Sequence, residues 1–451
     1  MKKNYSLTFK RTLLLFGVAV NFLSLKAQQW ENVGSAANVS AGGSSYNNLV
    51  VDGTGKYYLS YYDTSVSKGS VQKFEGSSWS YLGGTAGITT GIALYNSLSL
   101  DGLGNVFYTN QGTGLEVRKF SGTTWSSLAS ATSNTVNYHA SAVSPANVLF
   151  TYSSDGSGTV RRFVNNAWEQ VGNVGFSSGA TFAEMVIGTN NKVYTCNISS
   201  GVRVYENTTT ATSTDNWIMV GGAIVDTSSS GEQYTSDIAI DGNNNLYVAY
   251  ISNSTNGRKI NVKKWNGTSW SQVGNANFSA KAVQHLAITV TSSGTPYVVA
   301  SQWDSSDGNH LKNTVYKFDN ITDTWSAFGG NFVSDDQATY NDLAIDPVNN
   351  YLVLAYSQGT TKVKRISLSS LSVNDTKKEL STIYPNPTTG IIYVKGEDKI
   401  KSVEVSDAAG KAIKSQNDTE KIDISDASAG VYFVTIKTQT NKTIIKKIIK
   451  K

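Results

Sequence analysis

The sequence predicts an all-β protein built mainly from seven similar four-stranded units. Three observations favour this fold class. The chain is rich in residues typical of strands and turns, with 24 Tyr, 9 Trp and 40 Gly. Long amphipathic helical patterns are absent. A tryptophan-centred pattern also recurs at intervals of roughly 50 residues, a period typical of stacked or circular repeats.

The tryptophan pattern marks the last strand of each unit. In most copies a hydrophobic residue and a glycine follow the indole, as in Trp270-Ser-Gln-Val-Gly274, whereas the copy at Trp125 is looser and has Ala129 in place of the glycine. The repeated residues are Trp30, Trp79, Trp125, Trp168, Trp217, Trp270 and Trp325.

Each tryptophan strand ends a set of two hairpins. The run 238–250 alternates around an Asp241-Gly242 turn, and residues 262–265 lead into an Asn266-Gly267 turn just before Trp270. Four strands, A to D, in about 50 residues are typical of a β-propeller blade. The A strands are predicted to begin near Tyr46, Tyr95, Tyr138, Phe182, Thr235, Val283 and Tyr340.

The first and last units complete each other. The unit from Leu343 to Leu371 lacks a tryptophan strand, and the Trp30 strand lacks a preceding A–C set. Pairing the two closes the ring and protects an edge. Residues 28–371 are therefore predicted to form a seven-bladed propeller, with six or eight blades as alternatives if one unit is degenerate.

The N-terminus has the pattern of an export signal. A basic start, the apolar run 12–20 and the small Ala27 predict a signal peptide over residues 1–27. The alternative is a membrane anchor, but the apolar run is short and Asn21 interrupts it. The mature chain is predicted to have no transmembrane segment.

The C-terminus changes character after a polar linker predicted at residues 372–380. Residues 381–451 read as a small β-sandwich with a Tyr-Pro-Asn-Pro start and a Lys-rich end. The residues that define the pattern are Tyr384, Pro385, Asn386, Pro387, Gly390, Gly410, Gly430, Tyr432, Lys446 and Lys447.

In this order at the chain end, these residues resemble the type A C-terminal sorting domain of the type IX secretion system. The resemblance implies recognition by an outer-membrane translocon and removal by a sortase. The protein is then secreted or attached to the outer cell surface. A small β-sandwich that binds some other ligand is the alternative.

One loop is the strongest candidate for a ligand site on the propeller. The loop between strands B and C of the sixth unit carries Trp303, Asp304, Asp307 and His310, and Tyr62 with Asp63 form a weaker counterpart. An indole beside carboxylate and imidazole groups suits a sugar ring, which stacks and accepts or donates hydrogen bonds. An ordinary polar loop is the alternative.

The A strands suggest a second candidate region around the propeller axis. Polar residues at matching A-strand positions are predicted to line the central channel, namely Asn48, Glu184, Asp237, His285 and Asp342. Such a ring holds waters, a cation or a ligand. The pair Glu184 and Asp237 would matter for a glycosidase if the two carboxyls were suitably spaced.

The remaining features restrict the function classes. A single Cys196 allows no intrachain disulfide, and the middle of the chain is mildly acidic, which argues against nucleic-acid binding. Recognised catalytic, phosphate-binding and metal-binding motifs are missing, so no cofactor or metal is predicted. The sequence favours a non-catalytic binding protein for a glycan or a surface protein. A polysaccharide hydrolase or lyase and a passive matrix protein are the alternatives.

Overall fold

The structure is a computed structural model that describes residues 28–35, 37–112, 114–227, 236–369, 381–396, 398–408, 410–439 and 443–451. The predicted signal peptide (1–27) and the predicted linker (372–380) lie outside these residues. The chain divides into two compact units, which meet between Ser369 and Ser370 in the sequence.

The first unit contains seven antiparallel sheets of four strands each. Blade 1 comprises β2 (Ser44–Val51), β3 (Tyr57–Asp63), β4 (Lys68–Glu75) and β5 (Ser78–Tyr81). Blade 2 comprises β6 (Leu94–Leu100), β7 (Val106–Gly112), β8 (Gly114–Ser121) and β9 (Thr124–Ser127). Blade 3 comprises β10 (His139–Val143), β11 (Leu149–Ser153), β12 (Thr159–Val164) and β13 (Ala167–Val171). Blade 4 comprises β14 (Thr181–Ile187), β15 (Lys192–Ile198), β16 (Val202–Thr208) and β17 (Ile218–Met219).

The last three blades follow the same order. Blade 5 comprises β18 (Ser236–Ile240), β19 (Leu246–Ile251), β20 (Ile260–Trp265) and β21 (Trp270–Gln272). Blade 6 comprises β22 (Val283–Val290), β23 (Pro296–Gln302), β24 (Asn313–Asp319) and β25 (Thr324–Ala327). Blade 7 comprises β26 (Thr339–Asp346), β27 (Tyr351–Gln358), β28 (Thr360–Ser367) and β1 (Glu31–Asn32). Short 3-10 turns lie at Asp155–Ser157, Val220–Gly222 and Ser254–Asn256.

The ring closes through the N-terminal strand. Glu31 pairs with Arg365 and Asn32 with Lys364, so β1 is the outer strand of blade 7. The seven A strands contact one another in cyclic order, including β2 against β26. The predicted all-β fold, its seven blades and its N-terminal closure are confirmed.

Burial follows from the position of each strand within its blade. Strand β19, the second of blade 5, is buried along its whole length because neighbouring blades cover both of its faces. The outer strand β25 is exposed or half-buried throughout. This gradient places the hydrophobic clusters between blades rather than within a single sheet.

The repeated tryptophans form an outer belt, defined here as the seven D-strand indoles. Each indole N–H donates a hydrogen bond to a main-chain carbonyl of the preceding blade, over donor–acceptor distances of 2.7 to 3.1 Å. The bonds run from Trp30 to Phe328, Trp79 to Val33, Trp125 to Leu82, Trp168 to Ala129, Trp217 to Val171, Trp270 to Val220 and Trp325 to Val273.

The second unit is a small sandwich of two sheets. One sheet has the order β29 (Ser381–Tyr384), β30 (Ile391–Gly396), β33 (Lys421–Asp423). The other has the order β32 (Ala412–Asn417), β31 (Ile400–Asp407), β34 (Gly430–Thr438), β35 (Thr443–Lys450). Ile392, Val403 and Val434 are fully buried between the sheets.

Candidate functional site

An arc of aromatic rings surrounds the axis where the A strands begin. The rings come from six consecutive blades, and neighbouring ring centroids are 4.6 to 5.5 Å apart. The members of this arc, called the aromatic mouth below, are His285, Tyr340, Tyr46, Tyr95, Tyr138 and Phe182. The four tyrosines are only half-buried, so they remain open to solvent.

The aromatic mouth is built on strained backbone. Five of its members have φ angles between 48° and 57°, a region that non-glycine residues rarely adopt. A β-bulge lies at each of these five positions, and the pairing register between strands A and B shifts there. Tyr138 has no positive φ. Strain repeated at one level of a fold marks a place where the fold holds a particular arrangement of side chains.

Amide side chains connect the strained segments from blade to blade. Asn47 donates to the carbonyl of Tyr340 at 2.9 Å, and Asn96 donates to that of Tyr46 at 2.7 Å. Asn341 likewise donates to the carbonyl of His285 at 2.8 Å. These bonds fix the orientation of the aromatic mouth because each residue's main chain is held by the next blade.

Below the aromatic mouth lies a cavity of about 160 Å³ with acidic groups in its wall. Asn48, Glu184, Asp237 and Asp342 all line it, together with the mouth tyrosines and His139. Three carboxyls inside one small cavity disfavour one another's ionisation. The structure therefore brings together four of the five residues predicted to line the channel.

Two of these carboxyls accept hydrogen bonds from main-chain N–H groups. Asp342 accepts from the N–H groups of Leu343 and Leu49, at 2.8 and 2.6 Å. Asp237 accepts from Ile238 and Ile288, at 2.7 and 2.8 Å. In each case one donor belongs to another blade, so both aspartates join blades. Burial raises the pKa of Asp237 to about 6 and that of Asp342 to about 8, although these hydrogen bonds oppose the shift.

Glu184 differs from both aspartates. Within the described part of the chain its carboxyl has no hydrogen-bond or ion-pair partner. Asp342 and Asp237 each accept from an N–H of the next blade, that of Leu49 and that of Ile288. The corresponding donor for Glu184 would be the N–H of Ile238, which already donates to Asp237. Burial and the nearby charges of Asp237 and Asp342 raise the pKa of Glu184 well above its ordinary value.

The predicted position of His285 was wrong by two residues. Ala287, not His285, pairs with strand B at the position that corresponds to Asp342. The N–H of the next residue, Ile288, binds Asp237 as that of Leu49 binds Asp342, which confirms this register. His285 is instead the blade 6 member of the aromatic mouth. In blade 6 Thr291 takes the place of the turn aspartate that follows strand A in other blades, so the sequence pattern does not mark the register there.

The loop that follows β23 carries the second candidate site. Trp303 is 44% exposed, unlike the tryptophans of the outer belt. The His310 ring lies 5.6 Å from the indole ring, and its Nδ1 is 2.8 Å from the carbonyl oxygen of Trp303. Because a carbonyl only accepts, Nδ1 carries a proton and donates it to the carbonyl of Trp303, which leaves Nε2 available to a ligand. We call Trp303 and His310 the indole–imidazole pair.

The predicted loop carboxylates hold this loop in shape. Asp304 accepts from the Ser306 N–H at 2.8 Å and forms an ion pair with Lys281 at 3.4 Å. Asp307 accepts from Gln302 at 2.7 Å and from the Asn309 N–H at 3.0 Å. The loop therefore presents the indole–imidazole pair on an ordered backbone.

The structure contradicts the surface-ligand prediction for Asp63. Its side chain is fully buried, and it accepts from the N–H and hydroxyl of Ser65 and from the hydroxyl of Ser70. Tyr62 is half-buried and packs into the core between blades 1 and 2. The sequence of a short polar turn does not reveal whether its carboxylate faces solvent or accepts hydrogen bonds from its own loop.

The motif residues of the second unit hold its last strand. The Asn386 amide donates to the carbonyl of Lys447 and accepts from the N–H of Ile449. A Cβ on Gly390 would lie 2.2 Å from the Ser425 hydroxyl, so only glycine fits there. Strand β35 lies at the sheet edge with Lys447 exposed, and Lys446 is half-buried.

The remaining motif residues lie at turns and at the start of strand β34. Gly410 occupies the turn after β31 with a φ of 82°. Gly430 begins β34, in which the hydroxyl of Tyr432 donates to the carbonyl of Ser428. Tyr384, Pro385 and Pro387 are exposed.

Comparisons with known proteins identify the second unit. Residues 382–451 match the family described as a secretion system C-terminal sorting domain. The predicted type IX sorting domain is thereby confirmed. The protein is a substrate of that secretion system, and it is secreted or attached to the outer surface of the cell.

The propeller has a distant structural likeness. A solved structure of a polysaccharide lyase, the PL25 ulvan lyase bound to -[GlcA(1-4)Rha3S]-, aligns with a TM-score of 0.48 and 11% identity. The alignment covers 74% of this chain and 96% of the lyase chain. No curated protein matches the sequence.

The described residues lack two features, a membrane-spanning helix and a metal-binding cluster. Among them, no helix is long and apolar enough to cross a membrane. The same residues contain no group of three His, Cys, Asp or Glu side chains placed to hold a metal ion.

Proposed function

We propose that this protein is a non-catalytic binding protein of the cell exterior and that it binds a glycan at the indole–imidazole pair. The observation that carries the proposal is the 44% exposure of Trp303 on an ordered loop. Seven other tryptophans of the propeller use their indole N–H within the fold, so an indole facing solvent needs a different reason.

The chemistry of the pair suits a sugar ring. The indole face supplies an apolar platform on which the C–H face of a sugar stacks. The His310 Nε2 offers an acceptor for a sugar hydroxyl at the edge of that platform. The longest connection between strands B and C carries the pair, which lies on the same propeller face as the aromatic mouth.

A two-carboxylate hydrolase mechanism is less well supported. Asp237 and Asp342 have pKa values suited to proton transfer, but main-chain donors occupy both oxygens of each. Hydrolysis of a glycosidic bond needs one carboxyl as acid and another as base or nucleophile. Among the described carboxyls that line the cavity, Glu184 alone is without such partners, so this set lacks a second available carboxyl.

A glycan-array screen of the full chain, followed by titration of the best glycan, tests the proposal. Replacing Trp303 with Ala is expected to weaken binding by about 1–3 kcal/mol while leaving the melting temperature nearly unchanged. The matched control is Ile321→Ala, which removes a 95% exposed side chain from another loop of the same blade.

Two results would contradict this assignment. A large loss of thermal stability in Trp303→Ala would make the indole a core residue. Unchanged glycan affinity in Trp303→Ala, together with a strong effect of Glu184→Ala, would move the site to the axis. Release of shortened or unsaturated sugars from the bound glycan would favour an enzyme.

A further inference from the structure

The glycan proposal leaves the axis of the propeller unexplained. The aromatic mouth stands above a cavity of about 160 Å³, and Glu184 faces that cavity with no partner among the described residues. A cavity of roughly 150 Å³ is large enough for one benzene-sized molecule. It therefore suits one small group rather than a polymer chain.

A second observation at the same cavity is independent of the carboxyls. His139 also lines the cavity and is 8% exposed, and neither ring nitrogen has a hydrogen-bond partner among the described residues. Burial lowers its pKa to about 4, and the nearby main chain of Thr109, which lies outside hydrogen-bond geometry, offsets this shift only in part, so the ring is neutral at pH 7. A buried imidazole without a partner is costly, and a ligand that donates a hydrogen bond would remove that cost.

The electrostatics of the site favour a cation. The faces of aromatic rings carry negative potential and attract ammonium groups. The three carboxyls below the mouth disfavour a bound anion, whereas a bound cation favours the ionised form of a carboxyl beside it. A divalent metal ion is a poor fit, because no three ligating side chains among the described residues converge on one point. An organic cation needs no such convergence.

A primary ammonium group matches the polar partners in number and kind. It carries three N–H donors and no acceptor. The Glu184 carboxylate and the neutral imidazole of His139 are acceptors, and the tyrosine rings offer π faces to the attached methylenes and the charge. We propose that the axial cavity binds a single protonated primary amine, with Glu184 as its counterion and the aromatic mouth around its alkyl chain.

Binding at this site exchanges a proton for the amine. The neutral Glu184 carboxyl loses its proton to solvent, and the carboxylate then pairs with the ammonium, so one proton is released for each amine bound. Affinity therefore rises with pH until Glu184 ionises without the ligand. Among the described residues, the titratable groups around Glu184 on the neighbouring strands and at the mouth are Cys196, Asp237, Asp342, His139, His285, Tyr46, Tyr95, Tyr138 and Tyr340.

Isothermal titration of the full chain with propylammonium chloride tests the proposal, with n-propanol as the neutral probe of equal length. Propylammonium is expected to bind and propanol is not. The affinity for propylammonium should be higher at pH 7.5 than at pH 5.5 by up to about 100-fold, the limit for one proton released over two pH units. Repeating the titration in buffers of different ionisation enthalpy should give close to one proton released at pH 6.5.

Two variants locate the site. Glu184→Gln keeps the side-chain volume, and it should abolish proton release and weaken binding by at least about tenfold. Its control is Glu206→Gln on the same blade, where the carboxylate is paired with Lys192 away from the axis. Tyr95→Leu should weaken binding by about 3- to 30-fold through loss of one π face, even if Glu184→Gln fails to fold.

The same titration separates two sources of the amine. Binding of propylammonium indicates a free small amine. Binding only of Nα-acetyl-lysine amide, and not of its Nε-acetylated form, indicates a lysine side chain of a protein partner. Either result supports the proposal. Failure of both probes, equal binding of propanol, or unchanged proton release in Glu184→Gln would overturn it. Trp303→Ala should leave all these values unchanged, so the glycan proposal stands or falls separately.

Discussion

The propeller has two sets of aromatic residues, the outer belt and the aromatic mouth, which differ in backbone conformation and in hydrogen bonding. In the outer belt, each indole packs on a neighbouring blade and donates its N–H to a backbone carbonyl there, as Trp217 does to Val171. In the aromatic mouth, five members lie in the left-handed backbone region at bulged positions, and its tyrosines remain partly open to solvent.

The difference separates stability from function. The belt satisfies packing and hydrogen bonding together, which is the signature of a structural repeat. The mouth violates backbone preference at the same level in blade after blade, at a cost of about 1–3 kcal/mol for each position. A fold keeps such strain where the side-chain arrangement serves a purpose that stability alone does not explain. The belt should therefore govern folding, and the mouth should govern what the axis binds.

The largest loss of stability is expected when the N-terminal strand β1, which completes blade 7, is removed. Deleting residues 28–36 removes Trp30 and the buried Val33, and it exposes the edge of β28. Loss of the Trp30 packing alone is worth about 3–5 kcal/mol, and the exposed edge invites association. Chemical denaturation should show this loss, with deletion of Gln28 and Gln29 alone as control. An unchanged denaturation midpoint would show that ring closure does not depend on β1.

A medium effect is expected from the strain at the mouth. Tyr46 has a φ of 57°, whereas Tyr138 is not in the left-handed region. At Tyr46 a Gly substitution should be more stable than Ala by about 1 kcal/mol, because glycine tolerates this φ. At Tyr138 the order should reverse, since glycine only adds unfolded-state entropy there. The test is to measure the free energy of unfolding of the Gly and Ala variants at both positions. The same order at both sites would mean that the mouth is not strained.

The smallest effect concerns the pH dependence of stability. A buried carboxyl with a raised pKa holds protons that the unfolded chain releases, so its contribution to stability is lost as pH rises through its folded pKa. Asp237 titrates at about 6 and Asp342 at about 8. The buried His139 and His285, with pKa values lowered to about 4, act in the opposite sense between about pH 4 and 6.5.

Between about pH 6.5 and 8 the histidines no longer contribute and the carboxyls still do. The free energy of unfolding should therefore fall across this window. Glu184→Gln cannot ionise and should reduce the fall, because burial and the charges of Asp237 and Asp342 raise the pKa of Glu184 in the folded protein. Urea unfolding at several pH values measures it, with Glu206→Gln as control. A fall that is as steep in Glu184→Gln as in the parent would show that Glu184 is already ionised in the folded protein below this range.

Local patterns in the sequence are sufficient to predict the architecture of both units. Blade number and closure follow from short-range signals, such as the Trp-centred strands and the turn aspartates that accept N–H bonds two and four residues on, as Asp241 does. The sorting domain follows from motif residues that each serve a local need, such as Gly390 against Ser425. Hydrophobic periodicity and turn chemistry act over a few residues, and a sequence displays them directly.

Which candidate groups are available to a ligand depends on contacts between blades, and local sequence patterns do not reveal these contacts. Glu184, Asp237 and Asp342 are similar acids in similar strands, but the N–H groups that occupy Asp342 include one from Leu49, 293 residues away. Asp63 reads like a surface ligand and is buried by its own loop, whereas His285 belongs to the aromatic mouth instead of the carboxyl level. Whether a polar group is partnered depends on contacts between blades, and these contacts join residues that no local pattern relates.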